Sequence, residues 1–119
     1  MIKAAAALAV ILAMTGCSSE VAPPVATATL DSSKLLQTYD ASCEPCHGGA
    51  LGGAPKTGDA DDWQRRIEKG MAKVRRNAIE GFEGGTGVMP AKGGRPDLTD
   101  EDIDSIVDYM VRAAGLPAE

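Results

Sequence analysis

Apolar side chains recur at helical spacing in four stretches of this chain, all after about residue 30. Residues three or four apart lie on one face of an α-helix, so each stretch predicts an amphipathic helix. The four apolar sets are Leu35, Leu36 and Tyr39; Trp63 and Ile67; Met71, Val74, Ala78 and Ile79; and Ile103, Ile106, Val107, Met110 and Val111. No segment reads convincingly as a strand, so the pattern predicts an all-α domain.

Short polar residues and glycines mark the expected ends of these helices. Side-chain oxygens accept hydrogen bonds from the free N–H groups of a first helical turn, and glycine readily ends a helix. The expected caps are Ser32 or Ser33, Asp59 or Asp61, and Thr99 with Asp102 in a capping box, and the expected stops are Gly70, Gly81 and Gly115.

The first residues follow a different pattern. Lys3 supplies a short positive start, residues 4–14 form a continuous apolar run, and small residues lead into Cys17. The run is shorter than the roughly 20 residues that a membrane-spanning helix needs. Its layout is typical of a secretory signal peptide.

This segment resembles a bacterial lipoprotein signal. The resemblance implies that residues 1–16 are removed and that Cys17 becomes a lipidated amino terminus, anchored stably by several acyl chains. The alternatives are an uncleaved membrane helix, an unused thiol, and a plain secretory peptide that is cut after Ala26-Thr27-Ala28. Residues 17–30, rich in Ala, Pro, Val and Thr, predict a flexible linker that reaches roughly 40 Å when extended.

The remaining domain, residues 31–119, carries the most informative motif, Cys43-Glu44-Pro45-Cys46-His47. Two cysteines three apart with a histidine directly after them are the attachment signature of a c-type haem. One helical turn lets both thiols reach the same porphyrin while the imidazole faces the iron. A covalently held porphyrin would also fill the centre of a domain that has only four aromatic residues.

A Cys-x-x-Cys pair could also be a thioredoxin-like redox site or half of a zinc site. A structural zinc site needs four ligands, but the chain has three cysteines and one histidine. A thioredoxin-like motif should follow a β-strand, whereas residues 34–42 are helical in pattern. Both alternatives are therefore disfavoured.

The sixth position of a haem iron held by His47 must come from another residue type, since the chain has one histidine. Met71 and Met110 fall in the apolar faces of predicted helices. This leaves Met89, in a loop where glycines would let the backbone approach a flat porphyrin and Pro90 would stiffen the chain. The alternative is a methionine that fills a gap in a flexible loop.

The chain resembles the class I cytochromes c, and within them the cytochrome c5 branch, from Tyr39 to Met110. The resemblance rests on the haem motif, on Met89-Pro90-Ala91-Lys92-Gly93-Gly94 and on the stretch from Gly52 to Asp59. It implies four helices around one haem, with the first and last packed across each other. It also implies that the Pro55 carbonyl accepts a hydrogen bond from the axial imidazole and that Trp63 lies near a haem propionate; an ordinary turn proline and a core tryptophan are the alternatives. Some c5 proteins carry an additional cysteine pair, which this chain lacks.

His47 and Met89 together would leave the iron no vacant position, which favours electron transfer over catalysis. A thioether ligand favours ferrous iron, so we expect a positive midpoint potential. The sequence therefore predicts a non-enzymatic electron carrier on the periplasmic side of a bacterial membrane, anchored through Cys17, that exchanges electrons with respiratory protein partners and has no small-molecule substrate. The alternative is a haem-based enzyme subunit or a gas or redox sensor in which Met89 is displaced.

Charge is unevenly distributed along the domain. The formal net charge is -5, and an acidic chain would repel nucleic acid. The acidic residues of the last helix region are Asp97, Asp100, Glu101, Asp102, Asp104 and Asp108, and the basic residues of the middle are Arg65, Arg66, Lys69, Lys73, Arg75 and Arg76. This asymmetry could orient the protein toward a partner, or it could reflect solvated helix faces.

Overall fold

The computed structural model describes residues 30–119. The predicted signal peptide, the predicted lipidation site at Cys17 and most of the predicted linker lie outside these residues. The described part is mainly helical, as the sequence predicts. In chain order its elements are α1 (Ser32–Ser42), α2 (Glu44–His47), a 3₁₀ turn (Leu51–Gly53), α3 (Ala60–Ile67), α4 (Met71–Glu80), β1 (Phe82–Glu83), β2 (Val88–Met89), a second 3₁₀ turn (Ala91–Gly94) and α5 (Asp100–Ala113).

Two of the three predicted helix caps are confirmed, those of α3 and α5. Asp59 caps α3 by accepting a hydrogen bond from the Asp62 N–H at 3.0 Å. Gly70 and Gly81 flank α4 with φ angles of 98° and 89°, a region that glycine adopts without strain. The Thr99 capping box opens α5 as predicted.

The predicted start of α1 is wrong by one residue. Asp31, and neither Ser32 nor Ser33, is the cap, because its carboxylate accepts a hydrogen bond from the Lys34 N–H at 2.9 Å. Ser32 is already the first helical residue. Leu36 also differs from the expectation, since it is 43% exposed and not on the buried face.

The expectation that the domain contains no strand is wrong, because the structure has a short hairpin. Phe82 pairs with Met89 and Glu83 with Val88 in an antiparallel hairpin of two residues a strand. A strand this short shows no alternation that a sequence pattern could reveal. The Gly84 N–H closes the turn by donating to the Gly87 carbonyl at 2.8 Å.

The core is centred on α5, whose predicted apolar stripe is buried along its full length. Helix α1 packs against α5, where the rings of Tyr39 and Tyr109 meet edge to face with centroids 5.1 Å apart. Helix α4 is tied to α5 by Arg75, which donates to Asp108 at 2.8 Å and to the Ala118 carbonyl at 2.9 Å. No helix within residues 30–119 is both long and apolar enough to span a membrane.

Candidate functional site

A cavity of about 580 Å³ lies between α2, α4, α5 and the glycine-rich loop that carries Met89. Its wall on the α5 side is apolar and consists of Ile103, Ile106, Val107 and Met110. All residues that the sequence predicts to contact a haem line this cavity. They are Cys43, Cys46, His47, Pro55, Trp63 and Met89.

The junction of α1 and α2 positions the two cysteines. Cys43 ends α1 and caps α2, and the Cys46 and His47 N–H groups both donate to its carbonyl, at 3.2 and 2.9 Å. The two cysteines differ in exposure: Cys43 is buried and Cys46 is exposed. Burial raises the pKa of the Cys43 thiol to about 11, although the Arg95 guanidinium opposes this shift. Within residues 30–119 no three His, Cys, Asp or Glu side chains form a metal-binding cluster, so the geometry does not assemble a zinc site.

The His47 imidazole is buried and held in one orientation. Its Nδ1 lies 2.8 Å from the Pro55 carbonyl oxygen, to which it donates. Burial lowers the pKa of His47 below 6.5, the Pro55 hydrogen bond opposes this shift, and the positive charge of Arg66 adds to it. In the resulting neutral ring, the lone pair of Nε2 is available to bind a metal.

Hydrogen bonds with three helices hold the segment from Pro55 to Thr57. The Thr57 N–H donates to the His47 carbonyl at 2.8 Å, and the Tyr39 hydroxyl donates to Thr57 Oγ1 at 2.8 Å. The Trp63 indole N–H donates to the Lys56 carbonyl at 3.1 Å. Trp63 therefore lines the cavity as a buried side chain whose polar group already has a protein partner. Sequence reasoning missed Tyr39 and Thr57, since their contact joins residues 18 apart that share no motif.

Met89 lines the same cavity as the haem motif and lies at the end of β2. Met71 and Met110 are 7% and 2% exposed and belong to the hydrophobic core, as their helical spacing predicts, although Met110 also reaches the cavity wall. Gly81 supports the Met89 loop, because a Cβ there would lie 3.0 Å from the Ala91 nitrogen and 3.1 Å from the Met89 oxygen.

The cavity fits a flat, largely apolar group that carries iron. Two cysteines, an imidazole and a methionine thioether line the cavity together with aliphatic side chains of α5. Gly87 packs so closely against Gly52 that a Cβ would clash with the Gly52 backbone, which lets the two loops close one edge of the cavity. A cysteine pair, an imidazole and a thioether are side chains that can hold a covalently attached c-type haem.

Comparison with known proteins supports the same conclusion. A sequence profile for the family described as cytochrome c oxidase, cbb3-type, subunit III matches residues 31–110, which include the haem motif and Met89. Cytochrome c-555 of Chlorobaculum thiosulfatiphilum is 51% identical over 81 residues, covering 68% of this chain and 94% of that protein. The chain belongs to the class I cytochromes c. This cytochrome carries one covalently bound haem c and is an electron carrier, not an enzyme.

Two further similarities support the predicted branch and fold of this cytochrome. Cytochrome c5 of Ectopseudomonas mendocina is 33% identical over 70 residues, covering 57% of this chain and 76% of that protein. The fold is similar to a chain in the crystal structure of the electron transfer complex of nitrite reductase with cytochrome c. That match has a TM-score of 0.60 and 27% identity, and it covers 72% of this chain and 99% of that chain.

The mouth of the cavity in this cytochrome combines exposed apolar side chains with cations. The apolar residues Leu51, Phe82 and Val88 are 66%, 44% and 70% exposed. The cations that reach the cavity are Arg66, Lys69, Lys73 and Lys92. The Arg66 Nε is buried and lies 3.3 Å from Asp62 Oδ1, in an ion pair within α3.

Proposed function

We propose that this cytochrome carries single electrons through a haem whose iron is ligated by His47 and Met89 and whose vinyl groups are bonded to Cys43 and Cys46. The observation that carries the proposal is one cavity lined by the thiol pair, an imidazole with a free Nε2, and a single loop methionine. The bound haem supplies a reversible one-electron couple between ferric and ferrous iron.

The residues around this group act by orientation and by exclusion of solvent. The Pro55 carbonyl fixes the His47 ring and makes its free nitrogen a better electron donor. The apolar side chains of α5 keep the cavity dry, which favours the less charged ferrous state. A soft thioether at Met89 acts in the same direction.

Trp63 has a positioning role in this proposal. Its indole N–H holds the Lys56 carbonyl, and Lys56 follows directly on the residue that orients His47. Direct contact with a haem propionate would require a second acceptor for the same N–H group, so positioning through Lys56 is the role that the hydrogen bonds favour.

The proposed partners are redox proteins on the periplasmic side of a bacterial membrane. The structural neighbour comes from an electron transfer complex of nitrite reductase with cytochrome c. The exposed Lys69 and Lys73, which line the cavity, would steer an acidic partner. The sequence resemblance to a lipoprotein signal supports a lipid anchor at Cys17. The match to the family described as cytochrome c oxidase, cbb3-type, subunit III supports a role in a respiratory chain.

The sixth ligand can be tested with two methionine variants of the haem-loaded protein. We expect Met89→Ala to lose the low-spin spectrum, to bind carbon monoxide when reduced, and to have a lower midpoint potential, because the soft ligand is gone. The matched control is Met110→Leu, which nearly conserves volume in the same cavity and should keep the wild-type spectrum. A Met89→Ala protein with unchanged spectrum and potential would show that another residue is the ligand.

A further inference from the structure

Lys92 has a backbone conformation that is unusual for a residue with a side chain. Its φ and ψ angles are 54° and 27°, in the left-handed region, and Gly93 follows with φ 63°. Glycine adopts this region freely, whereas residues with a Cβ are strained there. Lys92 therefore occupies a position where glycine would be less strained, and the contacts of its side chain stabilise it there.

The Lys92 side chain crosses from the Met89 loop to the beginning of α5. Its Nζ donates to the Leu98 carbonyl at 2.8 Å and lies 2.7 Å from Asp100 Oδ1. The side chain is 22% exposed, so this charge-assisted contact is partly protected from solvent. Leu98 itself is buried in the core, so the ammonium group is attached to a rigid part of the molecule.

The start of α5, which Lys92 contacts, is also held by a second set of hydrogen bonds. The Thr99 hydroxyl accepts the Asp102 N–H at 3.1 Å, and the Asp102 carboxylate accepts the Thr99 N–H at 3.0 Å. This capping box fixes Thr99, which stands in the chain between Leu98 and Asp100, the two residues that Lys92 contacts.

The Met89 loop is held differently on its two sides. Met89 and the residue before it, Val88, are paired with Phe82 and Glu83 in the β1–β2 hairpin. After Met89 the backbone hydrogen bonds are local, from Gly93 to Pro90 at 3.0 Å and from Arg95 to Lys92 at 3.1 Å. The Lys92 side chain thus supplies a connection from this second half of the loop to α5.

We propose that Lys92 is a positioning residue that keeps the Met89 sulfur at the iron by fastening its loop to the start of α5. The proposal rests on the proposed function, in which Met89 is the sixth ligand. Without this contact the loop opens more often, and an external ligand that competes with Met89 binds more tightly in proportion to the open fraction.

The test uses the haem-loaded protein and imidazole as the competing ligand of the ferric iron. Lys92→Met keeps the aliphatic stem but removes the ammonium group, and Lys92→Gly removes it while also relieving the left-handed strain. We expect both variants to bind imidazole about tenfold more tightly, the range for loss of a charge-assisted hydrogen bond. We also expect faster hydrogen exchange at the Gly93 and Arg95 amides.

The matched control is Arg75→Met, which breaks the contacts of α4 with Asp108 and Ala118 and leaves the Met89 loop intact. It should lower global stability without changing imidazole affinity or exchange at Gly93. If Arg75→Met raises the affinity as much as Lys92→Met, or if neither Lys92 variant raises it, the positioning role is wrong. Met89→Ala separates the two proposals: it should raise imidazole affinity further, and if it leaves affinity unchanged, the ligand assignment itself fails.

Discussion

At the scale of single residues, the Tyr39 hydroxyl stabilises the segment that orients His47. It donates to Thr57 Oγ1 at 2.8 Å and so helps to hold the segment whose Pro55 carbonyl orients His47. Tyr39→Phe removes this hydrogen bond but keeps the ring contact with Tyr109. We expect it to lower the free energy of unfolding by about 1 kcal/mol, measured by chemical denaturation of the haem-loaded protein.

The control for this prediction is Tyr109→Phe, because within the described residues the structure gives the Tyr109 hydroxyl no hydrogen bond and its ring contributes the same edge-to-face pair. The pH dependence adds a further check. Burial raises the pKa of Tyr39 above 10.0, so the unfolded chain loses the phenol proton first and stability falls as pH rises above 10. The difference between wild type and Tyr39→Phe should therefore shrink above pH 10. Equal effects of both variants at neutral pH would contradict the role given to the Tyr39 hydroxyl.

At the scale of elements, the capping box of α5 offers a sharper test of helix stability. Thr99→Ala removes the acceptor of the Asp102 N–H and leaves a first-turn donor without its partner. We expect a loss of about 1 kcal/mol in the free energy of unfolding, the usual cost of such a change.

Ser105→Ala is the matched control on the same helix. Ser105 donates to the Glu101 carbonyl at 2.9 Å from an interior position of α5. That carbonyl is already part of the helix, and alanine favours helical structure more than serine, so the change should cost little or nothing. Comparable losses for Thr99→Ala and Ser105→Ala would mean that the cap has no special effect.

The same elements show how far the sequence predicts the fold. Caps and stops with a local signal were predictable: Asp59 for α3, Gly81 after α4 and the Thr99 box of α5. The start of α1 was not, because three adjacent residues, Asp31 to Ser33, can all cap a helix and local pattern does not rank them. The β1–β2 hairpin was missed because two residues a strand carry no periodicity.

At the scale of the whole molecule, the haem motif and Met89 were predictable as chemistry, whereas the cavity that unites them depends on long-range contacts. Thr86 donates to the Gly52 carbonyl at 3.2 Å across 34 residues, and the two glycine-rich loops meet there. Such contacts form only after the helices have packed, so neither composition nor spacing reveals them.

The predicted division of the chain into an anchor, a linker and a haem domain gives the last prediction. Cys17 belongs to the predicted lipoprotein signal, whereas Cys43 and Cys46 line the cavity. Cys17→Ser should therefore move the protein from the membrane fraction to the soluble periplasm while its haem spectrum stays unchanged. The opposite behaviour is expected of Met89→Ala, which should alter the spectrum and remain with the membrane. Because the two variants are expected to change different properties, fractionation of cells that express each one separates anchoring from ligation. If Cys17→Ser stays in the membrane fraction, then the anchor is not a lipid on this cysteine and the first 16 residues have another role.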